Sequence, residues 1–195
     1  MKEYFQKNEI LAKINQGDED IFLQMYNYYA PKLFRHICYR LSSRELAEDI
    51  AQQVFYKTWQ YIISSENKID NLNAFLYKTT NNLITDYYRK SVRENLSLDD
   101  IDNRLEDKLF TKSACAEVVD QEFEKIKVKE LIGQLRSEQQ KLIIWRYFDD
   151  LSISEIAKIT GKSKNVIYVG IHRALKDLKK LTIQFYEKIS NYPKY

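Results

Sequence analysis

The sequence contains few of the residues that make turns and cross-links. Its 195 residues include only 4 glycines and 2 prolines, whereas all-β and open α/β folds place many such residues in their turns. The two cysteines, Cys38 and Cys115, lie far apart and belong to no Cys/His cluster with metal-ligand spacing. Neither a zinc site nor a disulfide framework is therefore indicated. This composition predicts an all-α fold.

Long apolar runs are also missing. No stretch approaches the ~20 apolar residues of a membrane span, and the first ten residues carry four charges in place of a signal-peptide core. We therefore expect a cytoplasmic protein without membrane insertion. The sequence has no nucleotide-binding glycine loop and no nucleophile arrangement, and neither His36 nor His172 has an evident catalytic or metal-binding constellation. It predicts no catalytic residue, no metal, no cofactor and no enzymatic activity.

The charged residues that are present are distributed unevenly. Residues 1–90 hold 12 Lys/Arg and 11 Asp/Glu, residues 91–120 hold 4 and 8, and residues 121–195 hold 15 and 9, within a formal net charge of +3. A basic C-terminal third is typical of a protein that binds a polyanion there, and the acidic middle argues against DNA contact by that stretch.

The first half of the chain has the apolar spacing of amphipathic helices. Ser42 and Glu45 form a capping box that opens one helix, two helical runs before it meet near Pro31, and a polar loop from Ser64 to Asp70 precedes a fourth run. We expect these helices to form a bundle over residues 1–92. The predicted core positions include Leu23, Tyr26, Leu33, Phe34, Ile37, Leu41, Ile50, Val54, Phe75, Leu76, Leu83, Ile84 and Tyr87.

Residues 93–119 lose this periodicity and are acidic, so we interpret them as a linker to a second helical domain, 120–195. That domain is predicted to begin with a helix through Phe123, Ile126, Val128, Leu131, Ile132 and Leu135. A second capping box, Ser137 with Gln140, is expected to open the next helix.

A third capping box, Ser152 with Glu155, opens a short helix that Gly161 ends, and Ser163 is placed to cap the helix that follows. A short helix, a glycine turn and a second helix are the pattern of a helix-turn-helix, whose second helix enters the DNA major groove. Two amphipathic helices without DNA-binding activity can share this pattern. The predicted inward positions are Ile156, Ala157, Ile159, Ile167, Ile171, Ala174, Leu175 and Leu178.

The stretch DLSISEIAKITGKSKNVIYVGIHRALKDLKKL resembles the fourth conserved region of sigma-70-family factors. The matching positions are Glu155, Ile156, Ala157, Gly161, Ser163, Arg173, Ala174 and Leu178. The sequence departs from the family at Val166, at Ile167 and over Tyr168, Val169 and Gly170, where a triplet containing Lys or Arg is common. The resemblance implies that this helix-turn-helix binds the −35 promoter element, through Lys162, Ser163, Lys164, Asn165, Tyr168, His172 and Arg173.

Two stretches of the first half resemble region two of the same family. LAEDIAQQVFYKTW matches the core-polymerase-binding helix at Ala47, Glu48, Asp49, Gln52, Phe55 and Trp59, and Gln53 replaces the usual acid. The resemblance implies that a polar face of this helix contacts the clamp coiled coil of the polymerase. That face comprises Asp49, Gln52, Gln53 and Tyr56.

NAFLYKTTNNLITDYYRK resembles the promoter-opening helix through Ala74, Leu76, Tyr77, Lys78, Asn82, Asp86, Tyr88 and Arg89. The resemblance implies contacts to the −10 element from Lys78, Asn82, Arg89 and Lys90, and a flipped base in the loop Ser64 to Asn71. Asp86 would be repelled by DNA, so we expect it to be an ion-pair partner of a nearby Arg. For Phe75 and Tyr87, base stacking and core packing are both open, with core packing favoured.

The resemblance covers residues 18–90 and 120–185 and identifies the chain with the small extracytoplasmic-function (ECF, group IV) sigma factors. Such a factor directs core RNA polymerase to promoters and assists promoter melting. The implied partners are core RNA polymerase, through its β′ clamp and β flap, promoter DNA and an anti-sigma factor. Two alternatives are a stand-alone helix-turn-helix regulator with a helical sensing domain and an adaptor that never touches DNA.

Overall fold

The structure, a computed structural model, describes residues 1–41, 43–95, 128 and 130–190. The described residues form helices and turns and no strand. The chain divides into two compact units, residues 1–119 with 158–160 and residues 120–157 with 161–195. The prediction of an all-α protein with two helical domains is confirmed.

Four helices build the first unit: α1 (Asn8–Asn15), α2 (Glu19–Cys38), α3 (Arg44–Ser64) and α4 (Leu72–Asn95), after a 3₁₀ turn at Tyr4–Gln6. α4 therefore continues three residues into the segment predicted as a linker, and the rest of that segment, 96–119, lies outside the described residues. Helix α3 packs against both α2 and α4, and α1 packs against α2.

Helix α2 runs without a break through Pro31, so the prediction of two helical runs meeting there is wrong. A proline inside a helix leaves the carbonyl four residues earlier without its N–H partner. That carbonyl belongs to Asn27, and both Asn27 and Pro31 lie on the exposed side of the helix. Because water can hydrogen-bond this carbonyl, the helix tolerates the proline.

The predicted start of α3 is shifted by one residue. Ser43, and not Ser42, is the N-cap, and its hydroxyl accepts a hydrogen bond from the Leu46 N–H at 3.2 Å. Glu45 consequently lies one position too early to complete a capping box. Ser42 itself lies outside the described residues.

The first unit has an apolar core to which all four helices contribute buried side chains. Several predicted core positions are confirmed as buried, among them Leu33, Ile37, Leu41, Ile50, Val54, Leu76 and Ile84. Three predictions are wrong, because Leu23, Tyr26 and Tyr87 are exposed by 58%, 39% and 38%. Helical spacing alone therefore does not decide burial, which depends also on where the neighbouring helices pack.

The second unit contains α5 (Ser137–Ile143), which continues as a π-helical turn (Ile144–Phe148), then α6 (Ile153–Thr160) up to residue 157, and α7 (Lys164–Ser190). Residues 130–133 are also helical. Of the helix predicted ahead of α5, Phe123 and Ile126 lie outside the described residues, and Leu135 is buried beyond the end of the helical turn.

The predicted capping box of Ser137 with Gln140 is wrong. The N-cap is Arg136, whose backbone N–H donates to Gln139 Oε1 at 3.3 Å, and Ser137 is the first helical residue. Gln140 points inward, where its Nε2 donates to the carbonyl of Gly133 at 3.1 Å and to the buried carbonyl of Leu135 at 2.7 Å. The inward amide therefore satisfies two carbonyls of the preceding segment and cannot reach back to the cap.

The helix-turn-helix signals are confirmed one by one. Ser152 Oγ accepts from the Glu155 N–H at 3.2 Å, and Glu155 Oε2 accepts from the Ser152 N–H at 2.7 Å. Gly161 ends α6 with a φ of 71°, in the left-handed region that favours glycine. Ser163 Oγ accepts from the Val166 N–H at 3.4 Å at the start of α7.

The inward faces of α6 and α7 also agree with the prediction, except at the margin. Ile156, Ile159, Ile167, Ile171 and Ala174 are buried, whereas Ala157 and Leu178 are half-buried. Leu175 is 39% exposed, so its assignment to the core is wrong.

Gly170 has a packing role within α7. A Cβ atom added at this position would lie 2.7 Å from Cδ1 of Leu142, on the helix α5 that packs against α7. Glycine in a helix interior costs ~1 kcal/mol relative to alanine. Here the missing side chain leaves room for the tip of the Leu142 side chain.

Candidate nucleic-acid interface and polymerase-binding face

Four polar side chains on α3 form an exposed face, defined as the α3 polar face: Asp49, Gln52, Gln53 and Tyr56. Residues three, four and seven apart lie on one side of a helix, so all four can meet one partner. The Tyr56 hydroxyl accepts a hydrogen bond from Gln60 Nε2 at 2.7 Å, one turn further along. The opposite side of α3 is buried, so substitutions on the polar face disturb no core contact.

An aromatic groove lies beside this face, between α2 and α3. It has a volume of about 430 Å³ and is lined by Glu19, Phe22, Tyr26, Phe55, Tyr56 and Trp59. Two ring pairs form its floor, since the rings of Phe22 and Trp59 and those of Tyr26 and Phe55 each lie 4.7 Å apart. The sequence analysis missed the groove, although aromatic residues four positions apart on two neighbouring helices are a signal for it.

Helix α4 exposes the four side chains predicted to meet the −10 element, Lys78, Asn82, Arg89 and Lys90. Asp86 lies among them, and its carboxylate is 3.8 Å from Arg89 Nη1, as predicted. Both partners are largely exposed, so the pair contributes little to stability.

Buried polar contacts fix the rotation of α4. The hydroxyl of Tyr29 donates to Asn73 Oδ1, and Arg40 Nη1 donates to Asn81 Oδ1 at 2.9 Å. The hydroxyl of Tyr88 donates to the carbonyl of Arg40. Burial raises the pKa of the Tyr88 hydroxyl above its ordinary value, and the Arg40 charge opposes that rise. These contacts join α4 to α2 and to the turn that follows α2.

The loop before α4 is held at its centre by an asparagine from α1. Asn15 Nδ2 donates to the Ile69 carbonyl at 3.1 Å, and Asn15 Oδ1 accepts from the Ile69 N–H at 2.8 Å. Ile69 is buried, and Asn71 Oδ1 caps α4 by accepting from the Ala74 N–H at 2.8 Å. Four further side chains of the loop are exposed, namely Glu66, Asn67, Lys68 and Asp70.

Five of the seven side chains predicted to meet the −35 element lie together on the exposed side of α7: Lys164, Asn165, Tyr168, His172 and Arg173. The remaining two differ. Ser163 Oγ is engaged as the N-cap, and Lys162 Nζ lies 3.0 Å from the Glu138 carboxylate in an exposed ion pair. Neither contact buries its residue, so both residues remain at the edge of this surface.

Within the described residues, no group of His, Cys, Asp or Glu is placed to hold a metal ion. Cys38 is buried in α2, and Cys115 lies outside the described residues. The described helices include none that is both long enough and apolar enough to cross a membrane.

An all-helical protein whose second unit carries a helix-turn-helix with a polar, cation-bearing recognition face belongs to the class of helix-turn-helix DNA-binding proteins. Two family models divide the chain in the same way. Sigma-70 region 2 matches residues 25–94, and Sigma-70, region 4 matches residues 125–178. Together they span more than half of the chain. The chain therefore belongs to the sigma-70 family. It is an RNA polymerase sigma factor of the ECF type.

Curated relatives agree with this assignment. The chain is 23% identical over 180 residues to the ECF RNA polymerase sigma factor BldN of Streptomyces coelicolor, covering 89% of this chain but only 64% of BldN. It therefore spans less than two thirds of that relative. It is 27% identical over 181 residues to the ECF RNA polymerase sigma factor SigW of Bacillus subtilis, covering 87% of this chain and 93% of SigW.

Two solved structures share the fold. The structure of CnrH in complex with the cytosolic domain of CnrY aligns with a TM-score of 0.64 at 16% identity, over 92% of this chain and 98% of that chain. The sigma factor RpoE in complex with the anti-sigma factor NepR from Bartonella quintana aligns with a TM-score of 0.58 at 22% identity, over 83% and 96%.

Proposed function

We propose that the first unit docks on core RNA polymerase and holds the melted −10 element, while the second unit binds the −35 element as duplex DNA. The observation that carries the proposal is that α3, α4 and α7 each bury one face and expose, on the other, the polar or basic side chains that match one partner. The chain thereby supplies promoter recognition, and the polymerase supplies the chemistry of transcription. It acts where core polymerase and the chromosome lie, in the cytoplasm.

The α3 polar face is the proposed contact with the β′ clamp, and the second unit is proposed to contact the β flap. Asp49, Gln52 and Gln53 offer a carboxylate and two amides, which suit hydrogen bonds to a polar helical partner. Tyr56 also lines the aromatic groove, so polar and apolar contact areas adjoin one another. A large amphipathic ring beside exposed polar groups is a common composition at protein interfaces.

The exposed face of α4 is the proposed −10 contact. Lys78, Arg89 and Lys90 can hold phosphates, and the amide of Asn82 can bond to a base edge. The loop Ser64 to Asn71 adjoins this face, and its exposed side chains surround the buried Ile69. A base that leaves the helix stack can be held by such a loop only if the loop keeps one conformation.

On α7 the proposed roles are divided between phosphate and base contacts. Lys164 and Arg173 would contact phosphates on either side of the major groove, while Asn165, Tyr168 and His172 would face base edges. Ser163 caps the helix whose N-terminal end approaches the DNA, and Lys162 stays beside it. Phosphate contacts position the helix, and base contacts make the binding sequence-specific.

We infer in addition that an anti-sigma factor regulates the chain. RpoE, which shares this fold, was solved in complex with the anti-sigma factor NepR. The aromatic groove between α2 and α3 adjoins the α3 polar face, so a protein seated there would compete with core polymerase. This competition would keep the sigma factor inactive until the regulator is removed.

The proposed function is tested by run-off transcription with bacterial core polymerase and genomic promoter fragments. The chain is expected to direct specific transcripts, and Lys78→Ala with Asn82→Ala should reduce them by about tenfold or more. Lys57→Ala, an exposed lysine on α3 outside the polar face, is the control and should leave transcription unchanged. Specific DNA binding that is independent of core polymerase would instead favour a stand-alone regulator. Absence of salt-sensitive DNA binding would favour an adaptor.

A further inference from the structure

Val169 is an exposed valine at the centre of the outward side of α7. Ile167 and Ile171, which lie two positions before and after it, are buried at 1% and 8% exposure. Two positions along an α-helix correspond to a rotation of about 200°, so a residue flanked in this way points away from the core. Val169 is 44% exposed and therefore has no large core contact to explain an apolar residue at this position.

Most neighbours of Val169 on this side are polar, and the exception is Val166, three positions before it, which is 53% exposed. Asn165 and Arg173 lie four positions before and after it, and His172 lies three positions after it, all exposed. Residues three and four apart are neighbours on a helix surface. Val169 is therefore flanked along the face by groups that can hydrogen-bond to base edges or phosphates, and the centre of the recognition face is apolar.

Duplex DNA offers one apolar group to such a side chain. In the major groove, the edges of the base pairs carry donors and acceptors, and only thymine adds a C5-methyl group. Asn165 and His172 beside Val169 can satisfy such donors and acceptors, whereas a valine can satisfy none of them. Among the base edges, the thymine methyl is the methyl group that its γ-methyl groups can contact.

The flanking charges indicate DNA as the occupant of this face. Lys164, Arg173 and Lys176 are exposed around Val169, and the segment 121–195 holds 15 basic and 9 acidic residues. Cations around an exposed apolar centre are complementary to the phosphates that border a major groove.

We propose that Val169 is a specificity-determining residue that contacts the C5-methyl group of a thymine in the upstream promoter element. This inference rests on the proposed binding of duplex DNA by the second unit. At the centre of the recognition helix, Val169 would then select a base through the shape and apolar surface of its side chain and not through a charge. The chain should therefore require a thymine at one defined position. A recognition helix that contacted only phosphates would accept any base there.

The test uses holoenzyme reconstituted from the full chain and bacterial core polymerase. Promoter fragments are selected from a random library by holoenzyme binding, and each thymine in the protected upstream element is then replaced singly by uracil, which lacks only the methyl group. At one position, uracil should weaken binding about fourfold, the effect of burying one methyl-sized group. Val169→Ala should weaken binding to the thymine element by a similar factor and should no longer respond to uracil.

Two control variants separate the methyl contact from general effects. Val169→Thr keeps the shape of the side chain and one of its two γ-methyl groups, so it should retain part of the response to uracil. Ile183→Ala removes an equally exposed β-branched side chain from the same helix, about 21 Å further along at 1.5 Å per residue. It should bind the thymine and uracil elements as the wild type does.

Three results would overturn the inference: an upstream element without thymine, equal binding of all uracil fragments, or a response to uracil that persists in Val169→Ala. If the holoenzyme protects the upstream element with salt-sensitive affinity but shows no methyl response, only this inference fails. If the second unit gives no protection at all, the proposed function fails together with it.

Discussion

Removing the side chain of Asn15 should loosen the loop before α4 without touching any residue proposed to contact polymerase or DNA. Asn15→Ala eliminates two hydrogen bonds, of 3.1 and 2.8 Å, to the backbone of Ile69. Each contributes about 1 kcal/mol net, and a backbone group left buried without a partner costs about 1–3 kcal/mol. Because Asn15 is half-buried and water can reach part of the site, we expect a loss of about 2 kcal/mol.

Two measurements test this magnitude. Urea unfolding of the first unit should show the loss as a lower midpoint with an unchanged slope. Hydrogen exchange at the Ile69 amide should become faster, since that N–H loses its acceptor. Asn15→Asp keeps the acceptor for the Ile69 N–H but loses the donor to the carbonyl, so its effect should be intermediate. Asn67→Ala, an exposed asparagine of the same loop, is the matched control.

A functional measurement separates the positioning role of Asn15 from simple destabilisation. At a temperature where Asn15→Ala remains folded, its affinity for core polymerase should equal that of the wild type, because α3 is unchanged. The fraction of open promoter complexes should fall. Stability within about 0.5 kcal/mol of the wild type, or equal losses in core binding and in promoter opening, would refute the reasoning.

Three further predictions concern the faces and the pH dependence. Asp49→Ala with Gln52→Ala should weaken binding to core polymerase in a titration while the circular dichroism of the chain stays unchanged, because these side chains are exposed. Neutralising Lys164 or Arg173 should weaken promoter binding for all sequences and reduce the log-log salt slope by about one. The raised pKa of Tyr88 means that the folded state holds its proton more tightly than the unfolded state. The resulting stability is present below the ordinary tyrosine pKa of about 10 and is lost as pH rises through the folded pKa. In Tyr88→Phe this part of the pH dependence should disappear.

Each of these expectations has a contrary outcome. Unchanged core affinity in the double variant would remove the α3 polar face from the polymerase contact. An altered base preference with an intact salt slope would make Lys164 or Arg173 a base-contacting residue. If wild type and Tyr88→Phe lose stability equally between pH 9 and 11, other groups cause the alkaline loss.

Local signals explain which parts of the fold could be predicted from the sequence. The helix-turn-helix depends on four residues within twelve positions, and each acts on backbone groups no more than four positions away. Ser152 and Glu155 open α6, Gly161 ends it, and Ser163 caps α7. Capping residues of this kind can be recognised from residue type and spacing alone. It specified the helix-turn-helix and hence the outward face of α7.

Errors arose where the outcome depends on neighbours in space. Whether Pro31 breaks α2 depends on whether the carbonyl of Asn27 reaches water, and whether Leu23 or Leu175 is buried depends on which helix packs beside it. The choice between Ser137 and Arg136 as N-cap depends on Gln140, which turns inward to the preceding segment. None of these conditions follows from helical spacing.

The candidate site could be predicted only where the family resemblance supplied roles for exposed residues. The contact between Asn15 and Ile69 spans 54 positions and has no periodic signature, so sequence reasoning could not find it. The aromatic groove does have a periodic signal, aromatic residues four positions apart on α2 and α3, but Tyr26 was assigned to the core, and Phe55 and Trp59 were interpreted only as family matches. Periodicity identifies which side of a helix is apolar but not which neighbour covers it.

The hydrogen bonds from Asn15 also have an evolutionary consequence. The region shared with the sigma-70 region 2 model begins at residue 25, so α1 and its asparagine lie outside it. The loop they hold lies inside it. Two factors with identical loop sequences can therefore present that loop differently if their N-terminal helices differ. If the loop holds a promoter base as proposed, promoter preference can diverge through substitutions that an alignment of the shared region does not contain. Exchanging the loop sequence alone between such factors would transfer its side chains, but it would not transfer the loop conformation that the N-terminal helix stabilises.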